Sequence, residues 1–209
     1  EPDLPQANIA PQANTASEAN TASEANTASE ANTASEANTA SEANIVLTGF
    51  MGTGKSTVGR RLAEVLRRPF VDTDAVLVER WGPISELFVH EGEAGFRRRE
   101  ADIVAELAEQ HGLVIATGGG SLIDETVSAP MEATGRVFCL TAEVNTIFDR
   151  VRSDGLTTRP LLADPDPQRR LAELLAERHG RYAAFEQVAT DDRTVDEIVG
   201  EIIERLAIS

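Results

Sequence analysis

The stretch IVLTGFMGTGKSTVGR, from Ile45 to Arg60, leaves the chain little choice of fold. An apolar run of strand type ends at Gly49, and the pattern Gly49-x4-Gly54-Lys55-Ser56 follows before the sequence resumes with helical spacing. That is the P-loop pattern G-x-x-x-x-G-K-[ST] in its proper setting, a strand before and a helix after. The glycines let backbone N–H groups turn inward around phosphate oxygens, and the helix start adds about half a positive charge. Lys55 is placed to bridge β- and γ-phosphates and Ser56 to hold Mg²⁺, with Gly52, Thr53, Gly54 and Thr57 completing the cradle. Lys55 is also the only lysine among 19 basic residues. A composition that avoids lysine elsewhere implies that the ammonium itself is wanted here.

The rest of the domain alternates short apolar runs with 3.6-periodic stretches. Strands are expected at Asn44–Thr48, up to Asp72 in RPFVD, at Leu113–Thr117, Arg136–Leu140 and near Gln187–Thr190. Helices are expected to about Arg67, over Ala75–Trp81, Ile84–His90 and Glu93–His111, near Glu143–Arg152, and over Gln168–Phe185 and Val195–Leu206. Strands apolar on both faces, alternating with helices, predict a parallel sheet covered on both sides, a three-layer α/β/α fold. Ligands in such sheets bind beyond the carboxyl ends of the strands. Each glycine or acidic cluster of this chain follows a strand end, so the clusters should converge. Ser153–Pro167 has the turn residues and polarity of a lid.

Residues 1–43 read differently. From Asn14 the hexapeptide Asn-Thr-Ala-Ser-Glu-Ala runs five times, with Leu4 and Ile9 the only large aliphatics before Asn44. Such a segment cannot bury enough apolar surface to offset its ordering entropy, and the expectation is a disordered repeat tail ahead of a single P-loop domain at 44–209. Its seven acids and no base leave the domain at −9 of the chain's −16. An acidic domain argues against nucleic acid and anionic membranes as partners, though local arginines still suit an anionic metabolite. Cys139 is the only cysteine, which excludes an intramolecular disulfide and suits a buried core thiol. With no long apolar run and no secretion signal, the expected form is a cytoplasmic monomer.

Elimination narrows the class of P-loop protein. A GTPase would use a second lysine in N-K-x-D, and a motor or transport ATPase would end an apolar strand in an acid. Here LVIAT runs into Gly118-Gly119-Gly120 and VFCL into Thr141. Small-molecule and nucleotide kinases remain. In Asp72-Thr73-Asp74, strand alternation would point both carboxylates one way. One could order Mg²⁺ through water while the other meets the acceptor hydroxyl; a helix N-cap is the alternative use. Arg97 has Glu100 within i,i+3 reach, Arg159 in the lid could cover transferred charge, and Arg152 at a helix end could flank a base.

Together these pieces resemble the shikimate kinase family over residues 44–207. The run DTDAVLVERWGPISELFVHEGEAGFRRRE is similar to that family's acceptor signature, ATGGG to its glycine triplet, RPLL to its lid, and Arg178 with Tyr182 to its R-x-x-x-Y. The resemblance implies a nucleoside-monophosphate-kinase-like fold and ATP-dependent phosphorylation of the 3-hydroxyl of shikimate with Mg²⁺. It implies that Asp74 meets the ring hydroxyls as base, that Arg97 and Arg178 clamp the carboxylate, and that Gly118, Gly119 and Gly120 support the ring. Ser56 and Asp72 would serve the metal, Arg159 the phosphates and Arg152 the adenine, with Arg193 as a further adenine contact. Two departures stand out: the segment after Tyr182 is altered relative to the family's adenine loop, and the repeat tail has no counterpart. A kinase for a sugar acid or cyclitol is the rival within the class. A silent nucleotide-binding module is the rival outside it.

Overall fold

A computed structural model describes residues 43–155, 160–162 and 164–208. The repeat tail up to residue 42 and the lid arginine Arg159 lie outside the described residues. Five strands, β1 (Asn44–Thr48), β2 (Phe70–Asp72), β3 (Val114–Ala116), β4 (Gly135–Thr141) and β5 (Glu186–Ala189), form one sheet in the order β2-β3-β1-β4-β5. Every pairing is parallel, with Leu47 opposite Ala116 and Phe138 across β1. The helices are α1 (Lys55–Leu66), α2 (Thr73–Trp81), α3 (Ile84–Ala108), α4 (Glu125–Thr134), α5 (Val144–Asp154), α6 (Pro167–Tyr182) and α7 (Val195–Ala207).

Strand alternation divides the core into the two layers that the sequence implies. Ile45, Leu47, Val114, Phe138, Leu140 and Val188 pack on one side against Val58 and Leu62 of α1 and Ile198 and Ile202 of α7. Val46, Ile115, Val137 and Cys139 face the other side, against residues of α3, α5 and α6. Leu62 is fully buried, and its truncation to Ala would cost about 2–5 kcal/mol. Asn44, also fully buried, closes the lower edge: its amide donates to Gln110 O (2.7 Å) and accepts from Leu113 N (3.0 Å).

Two elements differ from the sequence reading. Helix α4 was not expected, because Pro130 sits inside it and β-branched Thr126 and Val127 open it. Asp124 starts it regardless, accepting from Thr126 N at 2.8 Å. Helix α2 begins at Thr73 rather than Ala75, capped by Asp72, so Asp74 lies in a helical first turn. Strand alternation is therefore not what aligns the two carboxylates. Helix α3 breaks at Gly92 (φ 68°, ψ −179°) into two helical stretches, as the spacing predicts.

Candidate active site

The phosphate loop joins β1 to α1. Gly49 (φ 126°), Gly52 (φ 78°) and Gly54 (φ 90°) all take left-handed backbone angles that favour glycine. At Gly49 a Cβ would also fall on the Leu140 carbonyl. The Phe50 carbonyl gathers the loop, accepting from Thr53 Oγ1 (2.8 Å) and Lys55 Nζ (2.9 Å). Thr53 is buried, whereas Lys55 and Ser56 are half-buried and open to a cleft of about 590 Å³. Gly52, Gly54, Thr57, Asp72 and Asp74 line the same cleft, so the metal and hydroxyl candidates converge with the loop.

Asp72 works with both carboxylate oxygens. Oδ2 accepts from Ser56 Oγ at 2.6 Å, and Oδ1 caps α2 by accepting from Asp74 N at 3.1 Å. The cap and the functional use are thus not alternatives. A hydroxyl and a carboxylate facing one cleft are hard oxygen donors that fit Mg²⁺. Among the described residues no group of three or more His, Cys, Asp or Glu side chains is placed to hold a metal. That suits an ion held through one or two protein oxygens plus substrate phosphates.

The glycine triplet follows β3, and the acceptor candidates of the sequence meet there. Gly118 N donates to buried Thr73 Oγ1 (2.9 Å), fixing the triplet to the start of α2. A Cβ at Gly118 would come within 2.7 Å of Ser121 Oγ and 2.8 Å of Asp74 Oδ1, and one at Gly120 within 2.6 Å of Arg97 Nη1. Arg178 Nη1 (3.2 Å) and the Tyr182 hydroxyl both donate to Gly119 O. Asp74, Gly119, Gly120, Arg178 and Phe96 line a cavity of about 90 Å³. Asp74 also faces the phosphate cleft, which makes it the side chain between the two spaces.

Both arginines are held from behind. Arg97 donates to Glu100, which is only 2% exposed and also accepts from Ser121 Oγ at 2.7 Å. Burial alone would lower the Arg97 pKa, but Glu100 and Glu93 outweigh it and raise it. Arg178, 9% exposed, stacks its guanidinium 5.6 Å from the Phe50 ring centre. One turn later Arg181 ties α6 to its neighbours, donating to Leu122 O (3.3 Å), Ser128 Oγ and Glu132. Burial pushes the Tyr182 phenol up to about 12.

A second cleft, of about 530 Å³, opens on the other side of Gly52–Gly54 and is walled by Asp149, Arg150, Thr190 and Arg193. The structure brings Arg150, not Arg152, against the loop: Arg150 Nη1 lies 3.3 Å from Gly52 O. Arg152 is 65% exposed and pairs with Asp149 at 3.3 Å. Arg193 lines the cleft but is anchored on Ala189 O and Glu197 O, both at 3.0 Å. Sequence reasoning passed over Arg150 and Thr190. The signal was available in the phase of α5, because Arg150 is one helical turn from buried Ile147.

A phosphate loop, a metal-suited hydroxyl–carboxylate pair and a separate cavity lined by Arg178, with Arg97 against Gly120 in its wall and Asp74 shared with the phosphate cleft, define a P-loop small-molecule kinase. The profile of the shikimate kinase family matches residues 51–207. The chain belongs to that family. A shikimate kinase from Symbiobacterium thermophilum is 48% identical over 165 residues, covering 78% of this chain and 95% of that one. The structure of a shikimate kinase from Acinetobacter baumannii in complex with shikimate aligns at TM-score 0.75 and 34% identity, over 79% of this chain and 93% of that chain. A gluconokinase from Sinorhizobium meliloti 1021 aligns at TM-score 0.54 and 22% identity, over 79% and 92% of the two chains, a likeness of fold alone.

Proposed function

We propose that this chain transfers the γ-phosphoryl group of ATP to the 3-hydroxyl of shikimate, with Mg²⁺. The observation that carries the reading is the convergence on the glycine triplet. Asp74 lies against Gly118, Arg178 against Gly119 and Arg97 against Gly120, beside a loop built for a triphosphate. Two arginines and one acid match a ring bearing one carboxylate and several hydroxyls, because guanidinium forks hold carboxylates best. A nucleoside monophosphate would call for more positive charge around the acceptor.

The reaction then assigns each residue a task. The 3-hydroxyl oxygen forms a bond to the γ-phosphorus as the bond to the β,γ-bridging oxygen breaks, and ADP leaves. Asp74 orients the hydroxyl and accepts its proton. Lys55, with the N–H groups of Gly52, Thr53, Gly54, Ser56 and Thr57, meets the phosphates. Ser56 and Asp72 hold Mg²⁺, which when bound neutralises charge developing on the phosphates. Arg97 and Arg178 clamp the carboxylate. Arg159 covers the phosphates from the lid and Arg152 flanks the adenine.

Residues 44–209 act as the kinase domain, a cytoplasmic monomer whose partners are ATP and shikimate, without nucleic acid or membrane. Among the described residues no helix is long and apolar enough to cross a membrane. The test is ADP release from ATP and Mg²⁺ with a panel of shikimate, gluconate, cyclitols and AMP. Shikimate should give the fastest release, and a faster rate with any other acceptor would overturn the assignment.

A further inference from the structure

Arg150 has a place in the nucleotide cleft that the chemistry above does not use. Its Nη1 donates to Gly52 O (3.3 Å) and Thr190 Oγ1 (3.0 Å), and its Nη2 donates to Thr190 O (2.9 Å). Gly52 O shares a peptide unit with the Thr53 N–H. In a trans peptide the two point in opposite directions. A carbonyl held outward by Arg150 therefore keeps the Thr53 N–H turned into the phosphate loop, where it faces Phe50 O at 3.4 Å.

The other end of the bridge is firm. Thr190, 2% exposed, follows β5 directly, and its N and Oγ1 both donate to Thr141 O, at 2.9 and 3.0 Å. Arg150 thus ties the phosphate loop to the end of the sheet across a cleft that both walls line. Three acceptors in two directions suit a planar guanidinium fork and not a lysine ammonium.

We propose that Arg150 is a positioning residue for the nucleotide. It fixes the Gly52–Thr53 peptide and sets the distance from the phosphate loop to the base-side wall, so it governs affinity for ATP and not for the acceptor. The proposal rests on that cleft being the ATP site. It is tested on the full chain with R150A, R150K and T190V, measuring KM for ATP and for shikimate, and the Kd of ADP by calorimetry.

R150A should raise the ATP KM and the ADP Kd about tenfold and leave the shikimate KM within about twofold. T190V, which removes the Oγ1 that accepts from Arg150 and donates to Thr141 O while leaving both Thr190 backbone bonds, should move the same two constants about threefold in the same direction. Unchanged nucleotide constants in R150A, or an equal rise in both KM values, would overturn the proposal. Full recovery of the ATP KM in R150K would contradict the fork. Should R150A not fold, T190V decides alone. Absence of shikimate-dependent turnover in the wild-type protein would count against the acceptor assignment instead, and ADP calorimetry would still judge Arg150.

Discussion

Ser56 Oγ donates to Asp72 Oδ2 across 2.6 Å, fastening the first turn of α1 to the end of β2. The same carboxylate caps α2 through its other oxygen, so one residue joins the phosphate loop to the helix that carries Asp74. Asp72→Asn keeps the cap acceptor and removes the charge. It should raise the Mg²⁺ concentration for half-maximal turnover about tenfold or more, with the shikimate KM little changed. A Mg²⁺ titration of the initial rate reads this directly.

Lys55→Met should lower kcat at least about 100-fold, because a positioned cation at the transferring group is lost. Lys55 is half-buried and bonds the loop's own Phe50 carbonyl, so thermal unfolding should shift only slightly. Paired kinetics and melting curves separate the two effects.

Arg97→Ala should raise the shikimate KM about 10- to 100-fold and spare the ATP KM. It also strips buried Glu100 of its cation while Ser121 still donates to it. Arg97→Ala/Glu100→Gln should therefore regain stability without regaining shikimate affinity, measured by denaturant unfolding beside steady-state kinetics.

Two glycines should fail in different ways. Gly49→Ala combines φ 126° with a Cβ on the Leu140 backbone and should cost about 2–4 kcal/mol of stability. Gly118 has no positive φ, and its Cβ would meet side-chain oxygens of Glu100, Ser121 and Asp74 and no backbone atom among its nearest neighbours. Gly118→Ala should fold and lose kcat/KM for shikimate. Unfolding curves and acceptor kinetics on both variants check the contrast.

Alkaline stability carries a signature of two buried acids. Burial raises the Cys139 thiol from 9.0 to about 12 and the Tyr182 phenol from 10.0 to about 12. Both hold their protons longer folded than unfolded, so the stability they contribute is complete below pH 9 and is lost as pH rises toward 12. Between pH 8 and 10.5 the wild-type protein should lose about 2 kcal/mol more than Cys139→Ala, read from urea unfolding at each pH.

The sequence made the phosphate loop and the parallel sheet legible, because each depends on local spacing, whereas the acceptor candidates were named from the family resemblance. Asp72 and Asp74 were found for a reason the structure replaces: a helix start, not strand alternation, brings both into one cleft. The phase of α5 marks the face that carries Arg150, but its partners are 98 and 40 residues away, so spacing shows the face and not what the guanidinium bonds. Arg152, two positions further on, points off the buried face of α5 that Ile147 and Val151 define. Helix α4 was hidden by Pro130, and only packing against α3 and the bond from Arg181, in the last turn of α6, to Ser128 reveal why it forms.

The most direct test is the position of the phosphate on the product. The protein, ATP, Mg²⁺ and shikimate are incubated together, and the product is read by phosphorus and proton NMR. A single phosphoester on the 3-oxygen of shikimate, formed with one ADP for each transfer, is the expected result. Unmodified shikimate alongside released ADP, or a phosphoester on another oxygen, would contradict the placement of Asp74 between the ring and the phosphate loop.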